Sequence, residues 1–273
     1  MTPAARTVIR PKQSLGQNFL VDDNIVRNIV RDMRTQPGDV VLEIGPGTGA
    51  LTAQLLGRVR HLILVEIDGR AVDGLRARFS SGPVTILHED FLTTDIRALS
   101  ARMNARLRIA GNLPYHLTSP ILFRLFEFSR CISDATIMVQ KEVARRIASP
   151  PGSKEYGILS VMTRFHGEAK MLFDVSPECF YPKPRVLSTV LSIRFGETDP
   201  EIDAALFSTI VRTTFGKRRK TLRNSLRYLP YDEQQIERLL SRIDFPLGKR
   251  PEDLSLADFA LLTREIGNTI AEP

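Results

Sequence analysis

Short runs of apolar residues alternate along the chain with segments in which apolar residues recur every three or four positions. Runs rich in Val, Ile and Leu are typical of buried strands, whereas the three-to-four spacing is typical of helices that cover a sheet. The runs predict strands at residues 40–44, 61–68, 84–87, 107–110, 134–140, 169–175 and 186–195. The spaced segments predict helices at residues 24–33, 71–79, 120–128 and 141–148.

This order of strands and helices predicts an α/β fold with a mainly parallel sheet. A proline-rich loop without an obvious helix joins the last two strands, so we expect an antiparallel pair at one end of the sheet. Turn-forming residues at 196–200 mark a domain boundary. Beyond it, the helical spacing returns at residues 202–214, 217–228, 232–242 and 256–268. We therefore expect one domain over residues 1–196 and a small helical domain over residues 197–273.

A glycine-rich turn directly follows the first predicted strand, with Gly45, Gly47 and Gly49 at alternate positions. Glycines at such a turn let the backbone approach a ligand closely. The spacing differs from the dinucleotide fingerprint, which favours a nucleoside such as S-adenosylmethionine over a pyrophosphate ligand. Glu66 ends the next strand about 20 residues after Gly45, the separation at which doubly wound folds place a ribose-binding acid. The alternative is a solvated carboxylate at a strand end.

Two further strand ends carry polar residues. Asp90 follows the third strand and is a candidate acceptor for an adenine amino group, or equally the N-cap of the next helix. The sequence Asn112-Leu113-Pro114-Tyr115 follows the fourth strand and combines an amide, a rigid turn and an aromatic ring. Enzymes that act on a nucleobase hold it by hydrogen bonds to its edge and by stacking. An ordinary turn is the alternative for this segment, because Asn and Pro are both turn formers.

Five motifs in order resemble the ribosomal RNA adenine dimethyltransferase family, over nearly the whole chain. They are KQSLGQNFL at 12–20, EIGPGTG at 43–49, NLPY at 112–115, FYPKP at 180–184 and FGKRRKTLR at 215–223. The QNFL and PGTG forms resemble the small-subunit branch more than the erythromycin-resistance branch. The resemblance implies a class I (Rossmann-like) methyltransferase sheet, S-adenosyl-L-methionine as cofactor, and 16S ribosomal RNA in the immature small subunit as substrate.

The resemblance also implies roles for individual residues. The implied cofactor-binding residues are Asn18, Leu20, Gly45, Gly47, Glu66, Asp90 and Asn112. In the implied catalytic segment, Asn112 and the backbone carbonyl of Leu113 accept the hydrogens of the adenine N6 amine, Pro114 fixes the turn and Tyr115 stacks on the base. Phe180 is the candidate for the opposite face of the base, with a core position beside the proline turn as the alternative.

Charge indicates a binding role for the C-terminal part of the chain. The formal net charge is +7, which favours a polyanionic partner. Basic residues concentrate around helically spaced leucines, so we expect a basic helical surface that contacts the RNA backbone, with a solvated helix face as the alternative. The expected RNA-binding residues are Lys217, Arg218, Arg219, Lys220 and Arg223.

Cys131 and Cys179 are too few and too far apart in sequence for a zinc site, and we expect no metal. The first eleven residues lack the apolar stretch of a secretory signal, and no apolar run approaches the length of a membrane span. We therefore expect a cytoplasmic protein without a membrane partner, and a monomer because no dimer seam is evident.

Three alternatives to small-subunit methylation share parts of this pattern. A nicotinamide dehydrogenase fits the layout, but the third glycine is misplaced and no hydride-partner acid or histidine accompanies it. A large-subunit RNA methyltransferase of the macrolide-resistance type shares the motifs. A non-catalytic RNA-binding assembly factor retains the fold, but the presumed catalytic residues are intact.

Overall fold

A computed structural model describes residues 9–271. Its strands are β1 (Phe19–Leu20), β2 (Val40–Ile44), β3 (His61–Glu66), β4 (Val84–His88), β5 (Leu107–Asn112), β6 (Ile132–Gln140), β7 (Gly167–Val175), β8 (Phe180–Tyr181) and β9 (Ser188–Phe195). Its α-helices are α1 (Asp23–Met33), α2 (Ala50–Leu55), α3 (Gly69–Arg78), α4 (Ile96–Met103), α5 (Thr118–Glu127), α6 (Lys141–Ala148), α7 (Ile158–His166), α8 (Ala204–Gly216), α9 (Leu222–Leu226), α10 (Glu233–Arg242) and α11 (Leu256–Ala271).

The main sheet has the strand order β4-β3-β2-β5-β6-β9-β7. Strands β2 to β6 pair in parallel, and β9 runs antiparallel to β6. The predicted mainly parallel α/β sheet is therefore confirmed. The antiparallel pairing of β9 with β6 lies toward one end of the sheet, where β9 and β7, the two strands expected to pair, are neighbours. The centre of the sheet is deeply buried, as β2 illustrates with every residue buried, and all of them are apolar except Glu43. Burial on both faces explains why these strands occur in the sequence as runs of mostly apolar residues.

Strand β2 lies between β3 and β5, so the chain leaves it in one direction toward β3 and β4 and returns on its other side as β5. This reversal of strand order opens a crevice at the carboxyl ends of β2 and β5, where ligands bind in open α/β sheets. Gly111 on β5 permits the close approach, because a Cβ there would lie 2.7 Å from the carbonyl oxygen of Ile44 on β2.

A separate two-stranded ribbon ties the N-terminal segment to a later loop. In it β1 pairs antiparallel with β8, so that Leu20 lies opposite Phe180 and Phe19 opposite Tyr181. Leu20 and Phe180 pack into the same apolar cluster. The segment before β1 is also anchored at Asp68, which accepts a hydrogen bond from Gln17 at 3.0 Å and lies 3.8 Å from the ammonium of Lys12.

The chain forms two compact units. The first comprises the chain up to Ala144 together with Glu168–Gly196, and the second comprises Arg145–Gly167 and the chain from Glu197 onward. One division between the units falls after residue 196, and the earlier segment that contains α7 groups with the C-terminal helices. Aromatic packing explains this grouping, since Phe165 on α7 stacks on Phe207 of α8 with ring centroids 4.0 Å apart.

None of the described helices is both long enough and apolar enough to cross a membrane. In the same residues, no group of three or more His, Cys, Asp or Glu side chains is arranged to hold a metal ion. The first eight residues, which belong to the segment examined for a signal sequence, lie outside the described residues.

Candidate active site

A pocket opens at the carboxyl ends of β2, β3 and β5, at the crevice created by the reversal of strand order. It brings together residues that are far apart in sequence. Of the residues predicted for the site, those that line the pocket are Asn18, Leu20, Gly45, Gly47, Glu66, Asp90, Asn112, Leu113, Pro114 and Tyr115.

The glycine-rich turn forms one wall of the pocket. Gly45, Gly47 and Gly49 have φ values of 61°, 55° and 74°, in the left-handed region that favours glycine. A Cβ at Gly47 would lie 2.8 Å from the ring of Phe19, so the absence of a side chain lets the N-terminal segment pack directly on the turn. At Gly45 the corresponding position is open. The turn therefore combines a backbone conformation that favours glycine with open space at Gly45.

Glu66 holds this turn to the end of β3. Its carboxylate accepts hydrogen bonds from the backbone N–H groups of Gly47 at 3.0 Å and Asp68 at 2.9 Å. The side chain is buried, and this burial raises its pKa, while the two N–H donors act in the opposite direction. Each carboxylate oxygen can accept more than one hydrogen bond, so acceptor capacity remains for a vicinal diol in the pocket.

Asp90 is an N-cap, as the alternative for this residue anticipated, and its role toward adenine stays a prediction. One carboxylate oxygen accepts a hydrogen bond from the N–H of Leu92 at 2.8 Å and caps the short helical turn that follows. The residue also lines the pocket, next to the buried ring of Phe91. The cap uses one oxygen and fixes the side chain, which leaves the other oxygen as an acceptor.

The amide of Asn112 is fixed by the N-terminal segment. Its Nδ2 donates a hydrogen bond of 2.7 Å to the backbone carbonyl of Asn18. Because a carbonyl oxygen can only accept, this contact defines which amide atom is the nitrogen and leaves Oδ1 as an acceptor at the pocket. The next residue, Leu113, is buried and donates its N–H to the carbonyl of Met138 on β6 at 3.0 Å. That bond engages the N–H of Leu113 and not its carbonyl.

Tyr115 completes the motif as a half-buried ring at the pocket wall. Its hydroxyl lies 2.8 Å from Oγ of Ser188, the first residue of β9. Burial raises the pKa of this phenol. The hydrogen bond at one end of the ring and Pro114 before it hold the aromatic plane in place.

Phe180 does not line the pocket, contrary to the sequence prediction. Its side chain is 2% exposed and belongs to the apolar core, as the alternative for this residue anticipated. Successive residues of a strand point to opposite faces, so the burial of Phe180 turns its neighbour Tyr181 outward, with 63% of its surface exposed. Phe180 contributes instead through β8, which supports Leu20 on β1.

Glu43 is a pocket residue for which the sequence analysis proposed no role. It is 3% exposed and accepts a hydrogen bond of 2.6 Å from the hydroxyl of Thr52 on α2. Burial, opposed by this hydrogen bond, raises the pKa of Glu43 to about 7. An acid within the otherwise apolar run of β2 was the available signal, because a buried carboxyl without a charged partner is uncommon.

Comparison with known proteins decides the family. The model of the family described as ribosomal RNA adenine dimethylase matches residues 9–265, nearly the whole chain. The chain belongs to the ribosomal RNA adenine dimethylase family. It is accordingly an RNA-modifying methyltransferase.

Relatives of this ribosomal RNA adenine dimethylase agree with the assignment. A ribosomal RNA small subunit methyltransferase A of Francisella tularensis subsp. novicida is 41% identical over 255 residues, which cover 93% of this chain and 96% of the relative. Among solved structures, a dimethyladenosine transferase from Plasmodium falciparum matches with a TM-score of 0.77 at 22% identity, covering 92% of this chain and 98% of that one. The 23S rRNA methyltransferase ErmE matches with a TM-score of 0.64 at 26% identity, covering 92% and 100%. The Rossmann-like methyltransferase fold is thus confirmed.

Of the five basic residues predicted to bind RNA, four lie in a turn of the second unit and only Arg223 lies on a helix, which corrects the sequence prediction. Helix α8 ends at Gly216, and residues 217–220, here called the basic turn, form an irregular connection to the short α9. Only residues 222–226 of the predicted helix at 217–228 are helical. Leu222 and Leu226 are fully buried, so the apolar spacing was read correctly while the basic residues before it lie in a turn.

The basic turn is organised around Tyr228, which is half exposed. The ammonium groups of Lys217 and Lys220 lie 4.4 and 4.9 Å from the centre of its ring, and Lys220 donates a hydrogen bond of 2.8 Å to its hydroxyl. Arg218 forms an ion pair with Glu252 at 3.0 Å. The predicted cations Arg219 and Arg223 are exposed and have no carboxylate partner in the part of the chain that the structure describes.

Proposed function

We propose that this protein transfers methyl groups from S-adenosyl-L-methionine to N6 of two adjacent adenosines in 16S ribosomal RNA of the small subunit. The observation that carries the proposal is the orientation of Asn112, whose Nδ2 is bound to the carbonyl of Asn18 and whose Oδ1 is left as an acceptor at the pocket. An acceptor at this place suits an amine that carries two hydrogens. Membership of the dimethylase family supports the same reaction.

The residues of the pocket fit the cofactor. Glu66 keeps acceptor capacity for the ribose hydroxyls, and Asp90 with Phe91 supplies an acceptor and an apolar surface for adenine. The open space at Gly45, together with Asn18 and Leu20 in the same pocket lining, suits the methionine part. When bound, S-adenosylmethionine supplies an electrophilic methyl group on a positively charged sulfur.

The side chains of the NLPY motif then position the target amine. The lone pair of adenine N6 is delocalised into the ring, which makes the amine a weak nucleophile. Hydrogen bonds from N6 to Oδ1 of Asn112 and to the carbonyl of Leu113 favour a pyramidal nitrogen whose lone pair is directed at the methyl group. Tyr115 stacks on the base, a contact worth roughly 1–3 kcal/mol. Positioning and electrostatics of this kind suffice for an in-line displacement, and the product nitrogen loses its proton to water.

The substrate assignment rests on relatives and charge. A relative that is 41% identical is named for the small ribosomal subunit, whereas the large-subunit enzyme ErmE is 26% identical. The cations of the basic turn and Arg223 give the second unit a surface for RNA phosphates, and we assign them to RNA binding. With such a substrate we expect a cytoplasmic monomer that acts on the immature small subunit.

Transfer of labelled methyl groups to immature small subunits tests the proposal, with large subunits and protein-free RNA in parallel and nucleoside analysis of the product. We expect N6,N6-dimethyladenosine in small-subunit RNA. Label confined to large-subunit RNA would assign the protein to the macrolide-resistance type. No label in any RNA, together with no binding of the cofactor, would favour a non-catalytic assembly factor.

Replacing the key amide tests the mechanism within the same assay. Asn112→Ala removes both the acceptor for N6 and the donor to Asn18, so we expect methyl transfer to fall at least 100-fold, the scale of removing one oriented hydrogen-bond partner from a transition state. Binding of the cofactor, measured by calorimetry, should weaken far less because Glu66 and Asp90 are unchanged. Asn224→Ala, at an exposed residue on α9, serves as the matched control. Near-normal turnover of Asn112→Ala would contradict the mechanism.

A further inference from the structure

The loop between β8 and β9 carries an exposed apolar surface that the chemistry of the pocket does not use. Tyr181, Val186 and Leu187 are 63%, 43% and 43% exposed. Within residues 9–271, the ring of Tyr181 makes no contact with another aromatic ring or with a cation, and its hydroxyl forms no hydrogen bond. Single exposed apolar residues are ordinary, but three within seven consecutive residues concentrate exposed apolar surface in one short segment.

Both ends of this loop are fixed at the walls of the pocket. At its start, Tyr181 is the cross-strand partner of Phe19, and the ring of Phe19 lies against Gly47 in the pocket wall. Directly opposite residues of an antiparallel pair place their side chains on the same face, about 4.5–5.5 Å apart at Cβ. At its end, Ser188 is hydrogen-bonded to Tyr115. Residues 181–187, here called the rim loop, therefore border the pocket.

Charge along the rim loop indicates what kind of partner it fits. Arg185 is exposed and has no carboxylate partner among the described residues, whereas Lys183 is paired with Glu178. The loop thus presents an aromatic ring and two aliphatic side chains beside an available guanidinium. Proteins that bind single-stranded nucleic acids combine the same elements, with bases stacked on aromatic rings and phosphates held by cations.

We propose that the rim loop binds a nucleotide next to the target adenosine, with its base stacked on Tyr181 and its phosphate held by Arg185. This proposal rests on the proposed function, because the target base must occupy the pocket for its neighbour to reach the rim. Adjacent nucleotides remain joined through their phosphates when one base is turned out of a stack, so a surface bordering the pocket meets the next residue of the RNA. Tyr181 is then a residue that recognises unstacked RNA and not one that takes part in methyl transfer.

The experiment compares Tyr181→Ala and Tyr181→Phe with the unaltered protein in methylation of immature small subunits at saturating S-adenosylmethionine. Loss of one stacked base should raise KM for the subunits about 10-fold in Tyr181→Ala, with kcat changed less than twofold. Tyr181→Phe, which keeps the ring, should restore KM. Leu261→Ala, at a residue 45% exposed on α11, is the control for loss of an exposed apolar side chain.

Three results would overturn the proposal. The first is a KM for Tyr181→Ala within twofold of the unaltered protein. The second is an equal rise in KM for Tyr181→Phe, which would assign the effect to the hydroxyl of Tyr181. The third is a rise in KM of Tyr181→Ala for intact subunits but not for protein-free RNA. That result would assign the rim loop to contact with a ribosomal protein. Failure of the proposed function has a different signature, namely no methyl transfer by the unaltered protein.

Discussion

At the scale of single residues, the pocket holds two buried carboxyl groups in different surroundings. Glu66 accepts two backbone N–H groups, which stabilise its charged form. Glu43 has the hydroxyl of Thr52 as its hydrogen-bond donor, and burial raises its pKa to about 7. Burial raises the pKa of both acids, but at Glu66 the backbone donors oppose this rise, so Glu66 is the one better suited to hold hydroxyl donors as an anion.

The raised pKa of Glu43 makes stability depend on pH. Between about pH 4.5 and 7, Glu43 loses its proton in the unfolded chain but keeps it in the folded chain. The neutral acid therefore makes its full contribution to the free energy of unfolding below pH 4.5, and this contribution is lost as the pH rises to 7. The loss is on the order of 3 kcal/mol. Glu43→Gln stays neutral and can accept the same hydrogen bond, so its free energy of unfolding should rise relative to the unaltered protein across this window.

Urea denaturation at several pH values measures this difference. The exposed Glu197→Gln provides the control, in which no relative change is expected over the same range. The effect of burial would be contradicted if Glu43→Gln and the unaltered protein differed in free energy of unfolding by the same amount at pH 4.5 and at pH 7.5.

At the scale of single residues, local sequence also explains which parts of the site could be predicted. Glu66 ends β3 and Asp90 follows β4 by two residues, so their strand ends located them at the crevice. The contact between Asn112 and Asn18 joins residues 94 positions apart, and the resemblance to the family assigned both residues to the cofactor without indicating this hydrogen bond. Phe180 and Tyr181 lie in a strand of two residues, which is too short for alternation to show which side chain is buried.

At the scale of elements, the parallel strands were predicted well because burial on both faces leaves them as unbroken apolar runs. Helix α7 was missed, since its buried face includes Ser160 and Thr163 and therefore lacks a clear apolar stripe. The helix predicted at residues 217–228 was wrong at its start. The chain leaves α8 in the basic turn, and Thr221 precedes the five-residue α9.

Contact between β2 and β5 sets the width of the crevice and depends on Gly111. A Cβ at this position would lie 2.7 Å from the Ile44 carbonyl oxygen, which is backbone and cannot move aside cheaply. Gly111→Ala should lower the free energy of unfolding by about 1–3 kcal/mol, the usual cost of overpacking. Gly38→Ala is the matched control, because a Cβ there meets nothing within 4 Å and its φ is not in the left-handed region. Equal midpoints in urea for the two variants would show that the strands separate without cost.

At the scale of the whole molecule, positive charge is available on the second unit in a form that suits phosphates. Tyr228 holds two lysine ammonium groups close together, and Arg219 and Arg223 are exposed without carboxylate partners in the described chain. Each phosphate neutralised by a cation releases counterions, so the number of such contacts determines the salt dependence of RNA binding.

The triple substitution Arg219→Gln, Lys220→Gln and Arg223→Gln should weaken binding to small subunits and flatten the plot of log Kd against log salt by about 2 units of slope. Filter binding over a series of salt concentrations measures the slope. A matched variant neutralises Arg58, Arg76 and Arg97, three exposed arginines of the first unit, and makes the same change in net charge. The same slope in both triple variants would mean that overall charge, and not the basic turn, determines RNA binding.

The grouping of α7 with the C-terminal helices has consequences for folding during synthesis and for truncation of the chain. Phe165 on α7 stacks on Phe207, and the hydroxyl of Tyr156 donates a hydrogen bond to the carbonyl of Leu254, so these early residues have their partners near the end of the chain. During synthesis, α7 leaves the ribosome long before the helices that bury it. Its apolar side therefore stays exposed until those helices have been synthesised. A gene truncated after codon 196 would leave α7 permanently in that state.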